Sequence, residues 1–300
     1  MIDQIVQHHK PLAYILGSQP FYPLPVDLLV KPPILVPRPE TEHWVLHLSQ
    51  TILSSPSFRN STSSPAPGQN KDKEAKFRIL DIGTGSGCIA LGLTQSLLHP
   101  DQPHVNGTSK PERGSGERTI ETVAIDQSNF AVELAKENSQ RCQLEERVSV
   151  HQLDLFSDSF TGDVKRLGNT SEGEGFDLVV SNPPYITREE FEGLDLSVKN
   201  WEDRKALVGE VPHDSGVGEE AEGVRDDGLI FYKRITSILE QLLRPGNEVA
   251  SKQDRPPNIA FEVGKGQAQE VGKMLRTRGY KAEIVSDPWG VERAVFGWKP

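Results

Sequence analysis

The 300-residue sequence predicts a doubly wound α/β domain, and three observations carry that expectation. From residue 77 onward, short apolar runs alternate with helix-like amphipathic runs, the pattern of a parallel sheet covered by helices on both faces. The first of these runs enters a glycine-rich turn, "LDIGTGSGCIAL" at 80–91. A later one, "FDLVV" at 176–180, ends on "SNPPY" at 181–185. Two consecutive prolines cannot donate ladder hydrogen bonds, so a strand must stop there.

Taken in order, residues 77–83 form a buried strand and 86–98 a helix, 122–126 a second strand and 128–141 a second helix. The second helix is expected to bury Phe130, Leu134 and Asn138, four apart, with Ala131 and Ala135 beside them. Strands follow at 147–154 and 176–182. Residues 228–243 form a strong helix with Ile235, Leu239 and Leu242 on one stripe, ended by Pro245 and Gly246. A strand at 258–264, a helix from 267 and a final strand pair close the chain. Residues 21–39 hold too many prolines for a central strand and read as an edge hairpin or an extended lead-in. Polar, Gly/Pro/Ser-rich segments near 54–75, 99–118, 162–175, 210–227 and 246–257 lack the periodic apolar content to bury themselves and read as surface loops or disordered insertions.

Composition narrows the function. Thirty-three Lys and Arg against 43 Asp and Glu leave a net charge of -10, which argues against binding by broad phosphate neutralisation. Two cysteines, Cys88 and Cys142, offer neither a disulfide framework nor a cysteine-rich metal site and fit a reducing compartment. No apolar run approaches the roughly 18 residues of a membrane span. The N-terminal residues have neither a secretory apolar core nor the composition of a transit peptide.

The glycine-rich turn, with Gly83, Thr84, Gly85, Ser86 and Gly87, lets backbone approach a ligand while a helix N-terminus points at it. Its spacing is G-x-G-x-G rather than the G-x-G-x-x-G of dinucleotide sites. Asp81 before it is expected at the loop mouth, where it would repel a pyrophosphate and suit a cationic ligand such as S-adenosylmethionine. An ordinary strand-to-helix turn is the plainer alternative. Asp126 ends the second strand, where a carboxylate can accept both ribose hydroxyls; the 99–118 insertion explains its distance from the glycines, and a helix N-cap is the plainer role. Asp154 is placed to accept from an adenine amino group, with Leu155 or Phe156 against the ring, or is simply a turn aspartate. Asn182 emerges beside the glycine loop if the fourth strand neighbours the first. There the Asn182 side-chain oxygen and the Pro183 carbonyl can grip the N–H bonds of a planar nitrogen, with Pro184 stiffening the exit and Tyr185 stacking on a flat group. That is a device for methyl transfer to an amide or an exocyclic amine.

These motifs resemble the HemK/PrmC family of release-factor methyltransferases. The similarity includes "PLAYILGSQPFY" (11–22), "LVPRPETE" (35–42), "LDIGTGSG" (80–87), "FDLVVSNPPYI" (176–186), "WEDRKALVG" (201–209), "DDGLIFYKRI" (226–235) and "DPWGVERAVFG" (287–297), in family order. The resemblance implies a Rossmann-like class I methyltransferase fold, with a seven-stranded, mostly parallel sheet and an antiparallel C-terminal strand. It implies transfer of a methyl group from S-adenosylmethionine to the side-chain nitrogen of the glutamine in the Gly-Gly-Gln motif of a class 1 peptide chain release factor. Asp81, Gly83 to Gly87, Asp126, Asp154, Leu155 and Asn182 would contact the cofactor. Asn182, Pro183 and Tyr185 would be catalytic, and Arg38, Pro39, Glu40, Thr41 and Pro184 would line the substrate site with them. Leu155 stands where relatives carry an aromatic. Residues 1–20 would be the remnant of an N-terminal helical region, 21–42 a hairpin or lead-in, and 43–300 the methyltransferase domain. A mitochondrial location is expected by resemblance, with a cytoplasmic one the alternative. No direct nucleic-acid or membrane partner is expected. An adenine-N6 methyltransferase is the rival reading, because "NPPY" suits an exocyclic amine; the 210–227 segment, with seven acidic residues against one arginine, weighs against phosphate.

Overall fold

The structure, a computed structural model, describes residues 2–60, 76–100, 119–170, 174–210, 226–245 and 254–299. The elements in chain order are α1 (Ile2–Val6), α2 (Leu12–Leu16), β1 (Ser18–Gln19), β2 (Leu28–Leu29), α3 (Pro39–Ser54), α4 (Pro56–Asn60), β3 (Lys76–Ile82), α5 (Cys88–Leu98), β4 (Thr119–Asp126) and α6 (Asn129–Arg141). After them come β5 (Val148–Gln152), α7 (Phe160–Leu167), β6 (Leu178–Ser181), α8 (Arg188–Glu192), α9 (Leu196–Lys199), α10 (Arg204–Leu207) and α11 (Ile230–Leu242). The chain closes with β7 (Ile259–Glu262), α12 (Ala268–Thr277), β8 (Lys281–Ser286) and β9 (Glu292–Trp298).

The sheet has seven strands in the order β5-β4-β3-β6-β7-β9-β8. The pairings among β3 to β7 are parallel, and β9 runs antiparallel to both β7 and β8. This is the expected doubly wound fold, antiparallel C-terminal strand included. Side-chain alternation builds two cores from one sheet. Phe77 and Ile79 of β3, with Leu178 and Val180 of β6, face a core containing Trp44, Val45 and Leu48 of α3 and Leu91 and Leu93 of α5. Leu80 and Ile82 of β3, with Val179 of β6, face another containing Tyr232, Ile235 and Leu239 of α11 and Val271 and Leu275 of α12.

Chain order runs outward from β3 to β4 and β5, then returns to place β6 on β3's other side. A crevice therefore opens at the C-terminal ends of β3 and β6, where open α/β sheets bind ligands.

Three expectations change. Phe130 is exposed, while Ala131, Leu134, Ala135 and Asn138 are buried. Steps of four overshoot the 3.6-residue turn, so residue 130 lies roughly 80° around the helix from residue 138. The segment near 162–175 begins inside a helix, α7, which buries Phe160 and Val164 one turn apart. The segment near 54–75 begins with α4, whose Phe58 meets Phe77 edge-on at 5.2 Å. The parts of the polar segments at 61–75, 101–118, 171–173, 211–225 and 246–253 lie outside the described residues.

The proline-rich lead-in contributes β2, paired antiparallel with β1, so this short ladder begins at Ser18. "PRPETE" is largely the first turn of α3, with Pro39 at its start and Glu40 and Glu42 acidic in that turn, as a helix N-terminus favours. Among the described residues no helix is long and apolar enough to cross a membrane.

Candidate active site

The glycine loop leaves β3 with Gly83, Gly85 and Gly87 at φ 77°, 56° and 86°, the left-handed region that costs other residues strain. The loop curls over the end of β4: the Gly83 and Thr84 amides both donate to the Ile125 carbonyl at 2.9 Å, and the Gly85 amide donates to Asp126 Oδ2 at 2.9 Å. At Gly87 packing adds a second reason, since a Cβ there would lie 3.2 Å from Leu91 Cδ1 and 3.3 Å from Ala135 Cβ. Buried Asn138 donates to the Ser86 carbonyl at 2.9 Å and exchanges two hydrogen bonds with Leu29 of β2.

Asp81 lies beneath this loop, not at its mouth. On β3 it alternates with Leu80 and Ile82, so its carboxylate faces the start of α5. It accepts from Thr84 Oγ1 at 2.7 Å and from the Ala90 amide, while Oδ1 has no partner. Complete burial pushes its pKa up to about 7, against the pull of those two hydrogen bonds.

A cavity of about 340 Å³ opens over the loop. Of the expected site residues it is lined by Gly83, Gly85, Asp126, Asp154, Leu155, Asn182, Pro183 and Pro184. Thr84, Ser86 and Gly87 shape the loop from behind and do not line it. Asp126 also accepts the Ser128 amide at 2.9 Å; burial raises its pKa and the donated amides oppose that. Asp154, two residues past β5, accepts the Phe156 amide at 2.9 Å in a local turn. Arg234 of α11 fixes the same turn by donating to the Leu155 carbonyl at 2.9 Å and the Ser157 carbonyl at 3.1 Å.

Other lining residues were not singled out from the sequence. Ile34 and Leu35 arrive from the proline-rich lead-in, Asp203, Lys205 and Ala206 from the start of α10, and Phe231 from α11. Phe231 meets Phe156 edge-on at 5.2 Å, making an aromatic wall. Their signal lay in "PPILVPRP", "WEDRKALVG" and "DDGLIFYKRI", but nothing local aims those side chains at the glycine loop.

The β6 exit is held at its root by Ser181, whose hydroxyl donates to the Ile82 carbonyl at 2.7 Å. Asn182 and Pro183 line the cavity, and among the described residues no backbone amide donates to either carbonyl. Tyr185 turns away from the cavity and packs into the core beside α11. Burial raises its phenol pKa, helped by the charge of Glu262 and opposed by Arg38 and Arg293.

The four residues expected from the lead-in gather on this Tyr185 side and do not line the cavity. Arg38 donates to both oxygens of Glu202, at 2.8 and 2.6 Å. Glu40 stands 3.7 Å from Arg293, and Thr41 donates to buried Glu262 at 2.6 Å. Pro39 opens α3 on the surface.

Residues 73–207 match a methyltransferase domain family. A curated relative from Geobacter sulfurreducens, a release factor glutamine methyltransferase, is 31% identical over 289 residues, spanning 96% of this chain and 73% of the relative. This chain belongs to the release factor glutamine methyltransferase family. A member from Koribacter versatilis is 30% identical over 98% of this chain and 76% of its own length. The crystal structure of a release factor-specific protein-(glutamine-N5) methyltransferase from Alicyclobacillus acidocaldarius is 21% identical and covers 90% of this chain and 99% of its own, with a TM-score of 0.38. A superposition that loose adds nothing to the assignment.

The family's cofactor is S-adenosylmethionine, and the residues present fit it. A Cβ built on Gly85 meets nothing within 4 Å, so the loop leaves open space where it borders the cavity. Asp126 supplies a carboxylate acceptor on one wall, and Leu155, Phe156 and Phe231 supply an apolar wall for a flat base.

Proposed function

We propose that this protein methylates the side-chain amide nitrogen of the glutamine in the Gly-Gly-Gln motif of a class 1 peptide chain release factor, and so modulates translation termination. The observation that carries this reading is the pair of acceptors at the β6 exit, Asn182 and Pro183, on the wall of the cavity shaped by the glycine loop. When bound, S-adenosylmethionine supplies a methyl group on a positively charged sulfur. An amide nitrogen is a poor nucleophile because its lone pair is delocalised into the carbonyl. Asn182 Oδ1 and the Pro183 carbonyl accept the two N–H hydrogens, aim the lone pair and favour the non-planar nitrogen. Neither group removes a proton before attack; both become better partners as the nitrogen gains positive charge, and interactions that strengthen in this way raise turnover. Proline at 183 and 184 fixes the acceptors in advance.

The partner is a protein and not a nucleic acid, a reading supported by the net charge of -10. The family resemblance and the long polar insertions support a mitochondrial release factor as substrate. Imaging the tagged full-length gene product checks this, and a wholly cytoplasmic signal overturns it.

The reaction is tested by the intact mass of a class 1 release factor after incubation with this protein and S-adenosylmethionine, beside the same factor with Gly-Gly-Gln changed to Gly-Gly-Ala. One methyl group gained by the first and none by the second is expected. Equal gain on both would move the site elsewhere, and no gain with cofactor binding intact would refute the substrate.

A further inference from the structure

Because residues 183 and 184 are prolines, the span from Asn182 to Ile186 carries only three backbone N–H groups. Upstream it hangs from β6. Downstream, the Tyr185 and Ile186 amides both donate to the Leu207 carbonyl, at 3.1 and 3.0 Å. The Tyr185 carbonyl accepts from Gln267 Nε2 at 2.8 Å. The same nitrogen reaches the Asp227 carbonyl at 3.2 Å, and Gln267 Oε1 accepts the Gly264 amide at 3.0 Å. One side chain thus ties the β6 exit to the segment before α11 and to the segment after β7.

Two glycines make the junction possible. A Cβ on Gly228 would lie 2.0 Å from the Tyr185 carbonyl oxygen. A Cβ on Gly264 would lie 2.9 Å from Tyr185 Cδ2 and 2.8 Å from Gln267 Oε1. The backbone is cleared for this contact on both sides, and Gln267 itself does not line the cofactor cavity.

We propose that Gln267 is a positioning residue for methyl transfer: it anchors the downstream end of the Asn182–Tyr185 span, so that the two acceptors stand still relative to the cofactor. The proposal rests on the function given above. It predicts an effect on turnover without one on cofactor affinity, because a displacement of about 1 Å at reacting groups costs on the order of 10²-fold.

Gln267→Glu keeps the shape of the side chain and replaces the donor with an acceptor facing two carbonyls; Gln267→Met removes both functions. In each, hydrogen exchange at the Tyr185 and Ile186 amides is expected to accelerate at least about tenfold, as an anchored segment opens locally, with α6 unaffected. Turnover on the release factor is expected to fall about 10–100-fold, with the cofactor Kd unchanged within about twofold. Unchanged exchange at Tyr185 and Ile186 overturns the proposal, as does wild-type turnover in both variants. A parallel loss of cofactor affinity overturns it too, by assigning Gln267 to general structural support. If the wild-type protein itself leaves release factor unmethylated, the proposed substrate fails, and the exchange measurement still decides the anchor.

Discussion

Two neighbouring parallel strands, β3 and β6, end side by side, with Ile82 paired to Ser181, and then do opposite things. After β3 the chain runs Gly-Thr-Gly-Ser-Gly, with three glycines at positive φ. After β6 it runs Asn-Pro-Pro-Tyr, with φ locked at two successive positions. The first exit is backbone that can wrap: its Gly83 and Thr84 amides fold back onto the Ile125 carbonyl and its Gly85 amide onto Asp126, leaving open space over Gly85. The second exit is stiff, as the proposed reaction requires of two oxygens held where charge would develop. The same sheet edge supports a conformable wall and a rigid one, and the choice between them is made by residues lacking either Cβ or the amide hydrogen.

The contrast breaks most visibly at Asn182. Asn182→Ala is expected to lower turnover about 10²–10³-fold while cofactor affinity, measured by calorimetry, stays near wild type; near-normal turnover would remove the rigid wall from the chemistry. Asp126→Ala tests the conformable wall. It deletes a half-buried carboxylate that also anchors the Gly85 amide, so cofactor affinity is expected to fall by about 1.5–3 kcal/mol, the worth of hydrogen bonds to a charged group. A Kd within threefold of wild type would argue that the loop binds without it.

Gly85→Ala sharpens the point about backbone freedom. Left-handed strain of about 1–2 kcal/mol should appear as lost stability in urea titration, although a Cβ there collides with nothing in the protein. The effect that shows only as pH changes concerns Asp81, whose carboxyl ionises near its ordinary value of 3.8 when unfolded and is pushed by burial up to about 7 when folded. Between those values the unfolded chain holds fewer protons, so this residue's contribution to stability is fully present below pH 4 and is lost as pH rises to 7. Asp81→Asn retains an acceptor for Thr84 and does not titrate. Relative to wild type it should therefore gain on the order of 1 kcal/mol per pH unit across that window and level off above it. A flat difference between pH 4 and 7 would show that Asp81 stays ionised in the folded protein.

What could be read from the sequence divides along the same line. Strand exits are local: Gly83, Gly85, Asp126, Asn182 and Pro183 sit at ends of apolar runs, and the order of β-α units places those ends together. Long-range closure is not local. Ile34, Leu35, Asp203 and Phe231 reach the cavity because distant segments pack over it, and no periodicity in their own neighbourhoods says so. Arg38, Glu40 and Thr41, which the motif assigns to the substrate side with Tyr185, do stand on the Tyr185 side, facing Glu202, Arg293 and Glu262; the motif says nothing of those three distant partners. Phe130 is exposed because a four-residue step imitates a helical stripe over two turns while drifting off the buried face. Helix α7 carries Phe160, Val164 and Leu167 at helical spacing, but the stripe is only eight residues long and lies in polar, glycine-containing sequence that reads as loop.

Asn138 has a consequence beyond holding the loop. Its one buried amide touches Ser86 of the glycine loop and Leu29 of the β1–β2 ladder, so one side chain ties the two regions together. If a bound cofactor stills Ser86, the Leu29 amide is expected to exchange more slowly with cofactor present than without it, and equal exchange in both states would show that the tie carries no coupling.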